Sequence, residues 1–344
     1  MSWKVYKKII FIGGILVFYG CATIGPYIER EELNKTEEEL RLKALKVKIE
    51  RTIYVNNIGY RILKYLPLKE RNYSFLGILA TALDKYIAKI FGKVCDEDRL
   101  IIYGIIKDSP AERADLKVGD IILKINNREA SPYNFYSLVR NLSFQKPCTL
   151  FIERGFEYKE VTLYPQVLPY YVNFLVVEYP DINASAFPGG VAVTYGLLNF
   201  IKNDEELAIV LGHELAHLIK NHILKSQGLN LLSFALALAV GKNIEVYGSQ
   251  DLGRLLGRAF SARFSRDFER EADFLGTLLA YKAGFDIEKG TSIWERLAIE
   301  LPQSLSSNFL ANHPTSSERL LRIKKIVEKI KKGELKVEEY IKPY

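Results

Sequence analysis

The pentapeptide His213-Glu214-Leu215-Ala216-His217 constrains this chain more than any other stretch. Its surroundings, Leu207 to Ile219, are apolar apart from the motif. Asn203 or Asp204 stands ready as an N-cap, so the pattern predicts a helix through the motif. Residues four apart on a helix share a face, and both imidazoles then project the same way. That geometry suits two zinc ligands at about 2.0–2.1 Å from the ion. Glu214 can reach a water on the metal without ligating the metal itself. This is the position of a general base that later passes its proton to a leaving amine. The bland alternative is a chance match on a surface helix. Only four histidines occur in the 344 residues, and unpaired His and Glu on so apolar a helix would be costly to bury. The zinc reading wins.

A catalytic zinc needs a third protein ligand and an open position. The stretch Ser265-Arg266-Asp267-Phe268-Glu269-Arg270-Glu271-Ala272-Asp273 supplies it. A cluster this charged is ordinarily a solvated face; beside an HExxH it reads as a ligand helix. Glu269 and Asp273 fall on one face, Glu269 as the ligand and Asp273 as the group that bonds a ligand histidine and fixes its tautomer. Glu271 points elsewhere on that helix and is expected to be exposed. On helix geometry His222 lies off the face of His213 and His217, and it reads as structural.

Together these residues resemble the HtpX and CAAX prenyl protease family of zinc peptidases, of the gluzincin type. The HExxH with a downstream Glu269-x-x-Ala272-Asp273 carries the resemblance. Asn183-Ala184-Ser185-Ala186-Phe187-Pro188-Gly189-Gly190 resembles that family's NAFALPGG segment, departing at Ser185 and Phe187. His222, His313-Pro314 and the run Tyr54 to Leu63 also fit. The resemblance covers about 54–66 and 171–325. It implies endopeptidase activity on proteins through a zinc-activated water, with the strand around Val191 to Thr194 binding substrate backbone at the cleft edge. It also gives weight to His313, which Pro314 holds on a turn rather than in a helix. Two roles are open: a neutral ligand filling the zinc's fourth position, or a donor stabilising the oxyanion of the tetrahedral intermediate.

Residues 72–166 change character, alternating short β-like runs with turn signals. Asp108 to Ala130 resembles a PDZ domain of the bacterial protease type, through Ser109-Pro110-Ala111, Ala114, Leu116, Gly119-Asp120, Ile122 and Asn126. Asp115 stands where Gly is usual, and Asp tolerates the left-handed turn required there. Phe75, Leu76, Gly77 and Ile78 resemble the carboxylate-binding loop, which implies capture of peptide C-termini along a sheet edge. A PDZ unit that merely packs on the catalytic domain is the alternative. Cys95 and Cys148 both fall in this segment, and their spacing does not fix whether they pair.

Lys4, Lys7 and Lys8 precede the apolar run Ile9 to Tyr19, which ends at Gly20-Cys21. This reads as an export signal whose Phe18 to Ala22 resembles a lipobox, with Cys21 lipidated, or as an uncleaved membrane anchor. Both readings place the body of the chain outside the cytoplasm, as a periplasmic lipoprotein in the first. The formal charge of +7 is diffuse and argues for no nucleic acid. The run Leu229 to Val240 is too short to span a bilayer, and Thr315 with Glu318 forms a capping box for a basic amphipathic C-terminal helix.

The expected fold is α+β. It comprises a signal or anchor (1–21), a helical stalk with the start of the peptidase domain (22–71), an inserted β-rich PDZ-like domain (72–166), and a mainly helical zincin-type metallopeptidase domain with a small β-sheet (167–344). The expected function is a membrane-tethered, extracytoplasmic zinc endopeptidase of envelope quality control. The rival is a non-catalytic PDZ-based chaperone or scaffold with a structural zinc.

Overall fold

A computed structural model describes residues 26, 28–66, 72–227, 257, 264–301, 313 and 317–341. Cys21, the run Leu229 to Val240 and Thr315 lie outside the described residues. Two compact units divide the chain, residues 1–41 and 42–344. Helix α1 (Arg30–Leu63) opens on Glu31 and Glu32, where negative charge suits the helix dipole. In the first unit its Leu33 and Leu40 are exposed. In the second it turns apolar and buries Val55, Ile58, Ile62 and Leu63. No helix among the described residues is long and apolar enough to cross a membrane.

The β-rich segment follows in the order β1 (Tyr73–Phe75), β2 (Ile78–Leu83), α2 (Lys85–Phe91), β3 (Asp96–Ile105), α3 (Pro110–Arg113), β4 (Ile121–Ile125), β5 (Arg128–Glu129), α4 (Phe135–Arg140), β6 (Cys148–Arg154), β7 (Glu157–Leu163) and β8 (Gln166–Leu168). Strands β2-β3-β4-β6-β7 form an antiparallel sheet, with β5 paired to β4. Alternation makes its inner face: Cys148, Leu150 and Ile152 of β6 are buried against Leu76, Ile102 and Phe135. Asn126 and Asn127 both take positive φ, the two-residue hairpin turn that joins β4 to β5. Asp115 adopts φ 57°, the left-handed conformation its position was expected to require. Cys95 and Cys148 are free thiols, exposed and buried respectively. Strand β1 pairs with β8, Tyr73 opposite Leu168, which brings the two ends of the segment together.

The remaining part begins with β9 (Asn173–Val177), β10 (Ala184–Phe187) and β11 (Gly190–Thr194). Pro188 and Gly189, the latter at φ 92°, turn β10 into β11. The sheet order is β10-β11-β9. Strand β11 is therefore central, antiparallel to β10 and parallel to β9, and all of its residues are buried. This corrects the expectation that Val191 to Thr194 binds a substrate backbone, because both of its ladder edges are already used; β10 and β9 are the edge strands among the described residues.

Helices α5 (Tyr195–Phe200), α6 (Asp204–Ile219), α7 (His222–Gln227), α8 (Arg266–Lys282), α9 (Ile287–Glu300) and α10 (Ser317–Lys331) complete the core. Asn203, Ser265 and Asp286 cap α6, α8 and α9 through side-chain oxygens. Leu207 and Leu211 of α6, Leu278 and Leu279 of α8, Trp294 of α9 and Ile323 of α10 share one hydrophobic cluster. The C-terminal helix buries Ile323, Ile326, Val327 and Ile330 together with one basic residue, Arg319, and leaves Lys324 and Lys325 exposed.

Candidate metal centre

Two glycines set the distance between the ligand helices. A Cβ on Gly212 would lie 2.6 Å from Gly276 O, and a Cβ on Gly276 would lie 2.6 Å from His213 N. With neither present, α6 and α8 meet backbone to backbone. The face of His213 and His217 then closes on that of Glu269 and Asp273.

The Nε2 atoms of His213 and His217 lie 3.1 Å apart, and His213 Nε2 lies 3.1 Å from His313 Nδ1. Glu269 Oε1 is 2.9 Å from His313 Nδ1 and 3.3 Å from His217 Nε2. All four side chains are buried, and their ligand atoms lie within 4.8 Å of one another. Donors about 2.0–2.1 Å from a tetrahedral zinc stand about 3.3 Å from each other, so the spacing fits that ion. Glu269 Oε2 and Glu214 Oε1 are buried oxygens that accept no hydrogen bond, although Arg319 Nη1 stands 3.3 Å from the first; a metal cation among them would offset the cost of their burial.

Each ligand histidine of α6 is held from behind. His213 Nδ1 faces Asp273 Oδ1 at 3.1 Å. Asp273 is gripped by Arg319, whose Nη1 also donates to His313 O at 3.0 Å and whose guanidinium lies over Trp294. His217 Nδ1 faces His222 Nδ1 at 3.0 Å, and His222 Nε2 faces Glu271 Oε2 at 3.0 Å. These contacts change two expectations. His222 does not sit off to one side, because α6 ends at Ile219 and Asn221 turns left-handed at φ 55°, which swings the ring back onto His217. Glu271 is only half exposed, bridging His222 and Lys220.

Burial opposes a charge on His213, but Asp273 and Glu269 outweigh it and raise its pKa to about 9 in the metal-free site. Burial pushes His217 well below the usual imidazole range. Burial also opposes ionisation of Glu269, yet His313, His213 and His217 hold its carboxyl well below the ordinary value.

Glu214 is fully buried. Its Oε2 accepts from the Ala186 N–H of edge strand β10 at 2.7 Å, and its Oε1 lies 3.4 Å from His313 Nε2. His313 is thus buried at a bend with one ring nitrogen among the ligands and the other toward Glu214. Ala186, Arg319 and the His222–Glu271 pair were not singled out for these contacts from sequence. The helix break at Asn221 was the one available signal for the last.

The loop Phe75 to Ile78 lies in the PDZ-like segment. Phe75 is paired with Gln166 and stacked on Tyr60, ring centroids 4.6 Å apart. Beside the loop, a cavity of about 300 Å³ is lined by Leu76, Phe135 and Val139 on one side and Tyr60 and Phe174 on the other. The hydroxyl of Tyr136 on α4 engages the free edge of β2, accepting from Ala80 N at 3.3 Å and donating to Ala80 O at 3.2 Å.

Residues 163–327 match the family model of Peptidase family M48, and residues 101–154 match that of the PDZ domain. The chain is similar to the mitochondrial metalloendopeptidase OMA1 of Arabidopsis thaliana, 34% identical over 42% of this chain and 29% of that one. It is similar to the metalloproteases YcaL and LoiP of Escherichia coli, at 32% and 30% identity, each over 44% of this chain and over 61% and 62% of those proteins. The chain therefore spans under a third of the plant relative and about three fifths of the bacterial ones.

Proposed function

We propose that this chain is a zinc endopeptidase acting on protein chains, a reading supported by the match of residues 163–327 to the model of Peptidase family M48 and of residues 101–154 to that of the PDZ domain. The observation that carries this reading is the convergence of His213, His217, Glu269 and His313 with Glu214 alongside. A structural site needs four ligands but no buried carboxylate base next to them.

His213, His217 and Glu269 would hold the zinc, with His313 as a fourth donor in the arrangement seen. When bound, zinc supplies a Lewis acid that polarises the scissile carbonyl and makes a water more acidic. The Ala186 N–H fixes Glu214 through Oε2, leaving Oε1 to take a proton from the attacking water and return it to the leaving amine. A substrate paired along edge strand β10 would pass beside Glu214, since Ala186 belongs to that strand. His313 would have to leave the fourth position for this, so the geometry favours its role as a plug over that of an oxyanion donor. The PDZ segment would hold peptide C-termini at Leu76 to Ile78.

Glu214→Gln tests the reading. It should keep the zinc and lose proteolysis by about 10²–10⁴-fold; undiminished activity would reject it. One observation favours the rival scaffold reading: with His313 included, four protein donors close the site as in structural zinc. His313→Ala separates the two, since a plugged enzyme gains activity and keeps its metal, whereas a structural site only loses metal.

The basic, apolar N-terminus supports a location outside the cytoplasm, tethered through a lipidated Cys21 or an uncleaved anchor, and a role in envelope protein quality control. Mass spectrometry of the mature N-terminus decides the tether: a lipidated Cys21 supports the first form, an intact Met1 in the membrane fraction the second.

A further inference from the structure

The two histidines of α6 are supported differently. Asp273 reaches His213 directly, is buried, and is locked by a buried arginine. Among the described residues no carboxylate pairs with His217 Nδ1, which meets a second imidazole instead. The proton positions along that second path follow from the metal reading. A metal at His217 Nε2 uses that nitrogen's lone pair, so the ring's one proton sits on Nδ1. His217 Nδ1 then donates, and His222 Nδ1 accepts. The neutral His222 keeps its proton on Nε2 and donates it to Glu271 Oε2. Every donor has an acceptor, and the order cannot be reversed while the metal occupies Nε2.

The surroundings hold this chain in place. His222 is fully buried, stacked on Phe268 at 4.3 Å and 9° between planes, and His217 is stacked on Phe264 at 3.9 Å. Lys220 pairs with Glu271 at 2.9 Å. The left-handed Asn221 allows His222 to approach a residue that a continuous helix would turn away from it.

We infer that His222 and Glu271 are positioning residues for the metal: a histidine-to-carboxylate relay that fixes the tautomer and ring plane of His217 and raises its basicity as a ligand. The inference rests on the zinc reading above. Removing a group that orients a metal ligand ordinarily lowers affinity about 10–100-fold. His222→Leu keeps the bulk and deletes both hydrogen bonds. His222→Gln supplies an oxygen to accept from His217 and an amide to donate toward Glu271. Glu271→Ala breaks the far end of the relay at a half-exposed position, where folding is least disturbed.

The experiment is chelator competition for zinc on the full-length protein, with cobalt substitution as a second readout and thermal unfolding of the metal-free forms as the folding control. His222→Leu and Glu271→Ala should bind zinc about 10–100-fold more weakly, with an altered cobalt d–d spectrum at saturation. His222→Gln should restore most of the affinity. Affinity for both disrupted variants within about threefold of wild type, or His222→Gln no better than His222→Leu, would overturn the relay. If His222→Leu fails to fold, Glu271→Ala alone decides by the same criterion. A wild-type protein that binds no zinc would reject the metal reading itself, and the relay with it.

Discussion

Arg319 donates from Nε and Nη2 to the two oxygens of Asp273, at 2.8 and 2.7 Å, with both side chains buried. The same guanidinium holds the His313 carbonyl. It therefore ties the support of His213 to the loop that carries the fourth donor. Arg319→Leu deletes both bonds to Asp273 and leaves that buried carboxylate with His213 as its remaining partner among the described residues, which should cost about 3–5 kcal/mol. Arg319→Lys should recover part of this, since it restores the charge without the planar fork. Urea unfolding of the metal-free protein measures both, and equal stability of Arg319→Leu and wild type would refute the assignment.

Gly276 offers a second test. An added methyl would press on the His213 backbone nitrogen, which is not a flexible side-chain end. Gly276→Ala should destabilise by about 1–3 kcal/mol through forced separation of the two helices. Zinc affinity should fall with it, because His213 and His217 on one helix move away from Glu269 on the other. A variant with normal stability and normal zinc binding would show that the crossing can relax.

Metal loading should release a proton. In the metal-free protein His213 has its pKa raised to about 9, so it carries a proton at pH 7 that a metal at Nε2 must displace. Zinc affinity should therefore rise as the pH climbs from 7 toward about 9 and gain nothing further from this group above that. Titration calorimetry in two buffers of different ionisation enthalpy counts the proton. For the metal-free fold the sign is opposite. The raised pKa contributes stability that is complete below about 6.5 and is lost as the pH rises through about 9.

Much of the centre was legible because helical periodicity places residues four apart on one face. That sufficed for His213 with His217 and for Glu269 with Asp273. Periodicity failed where the helix stopped: a left-handed Asn221 put His222 against His217 and gave Glu271 a partner. The run Val191 to Thr194 read as a strand but carried no information on whether it lies at an edge or in the middle, which depends on pairing with other strands. Arg319 was hidden among exposed basic neighbours such as Lys324 and Lys325, since burial of a single arginine leaves no mark in a charged amphipathic run. In the PDZ segment, Asp115 was readable because its conformation is a local property.

Tyr136 leads to a prediction about that segment. Its hydroxyl satisfies the N–H and the C=O of Ala80 on the free edge of β2, the groups an added peptide strand would use. Tyr136→Phe should free them and strengthen binding of an apolar peptide with a free C-terminal carboxylate. A hydrogen bond is worth about 1 kcal/mol net, so the gain should be about fivefold. Fluorescence polarisation with free and amidated peptides checks this; weaker binding by the variant would mean that the hydroxyl contacts the peptide instead.

The meeting of Gly212 and Gly276 also bears on transplanting the site. No side chain stands between the two helices there, so the ligand spacing is inherited from main-chain geometry and not from the sizes of core residues. A His-x-x-x-His helix crossed at such a pair of glycines with a Glu-x-x-x-Asp helix is a portable unit. Grafted into a bundle that permits the same approach, it would carry its ligand distances along. A scaffold with helices held apart by leucines, at the usual interaxial distance of about 8–10 Å, would present the two histidines and the glutamate too far apart to share an ion.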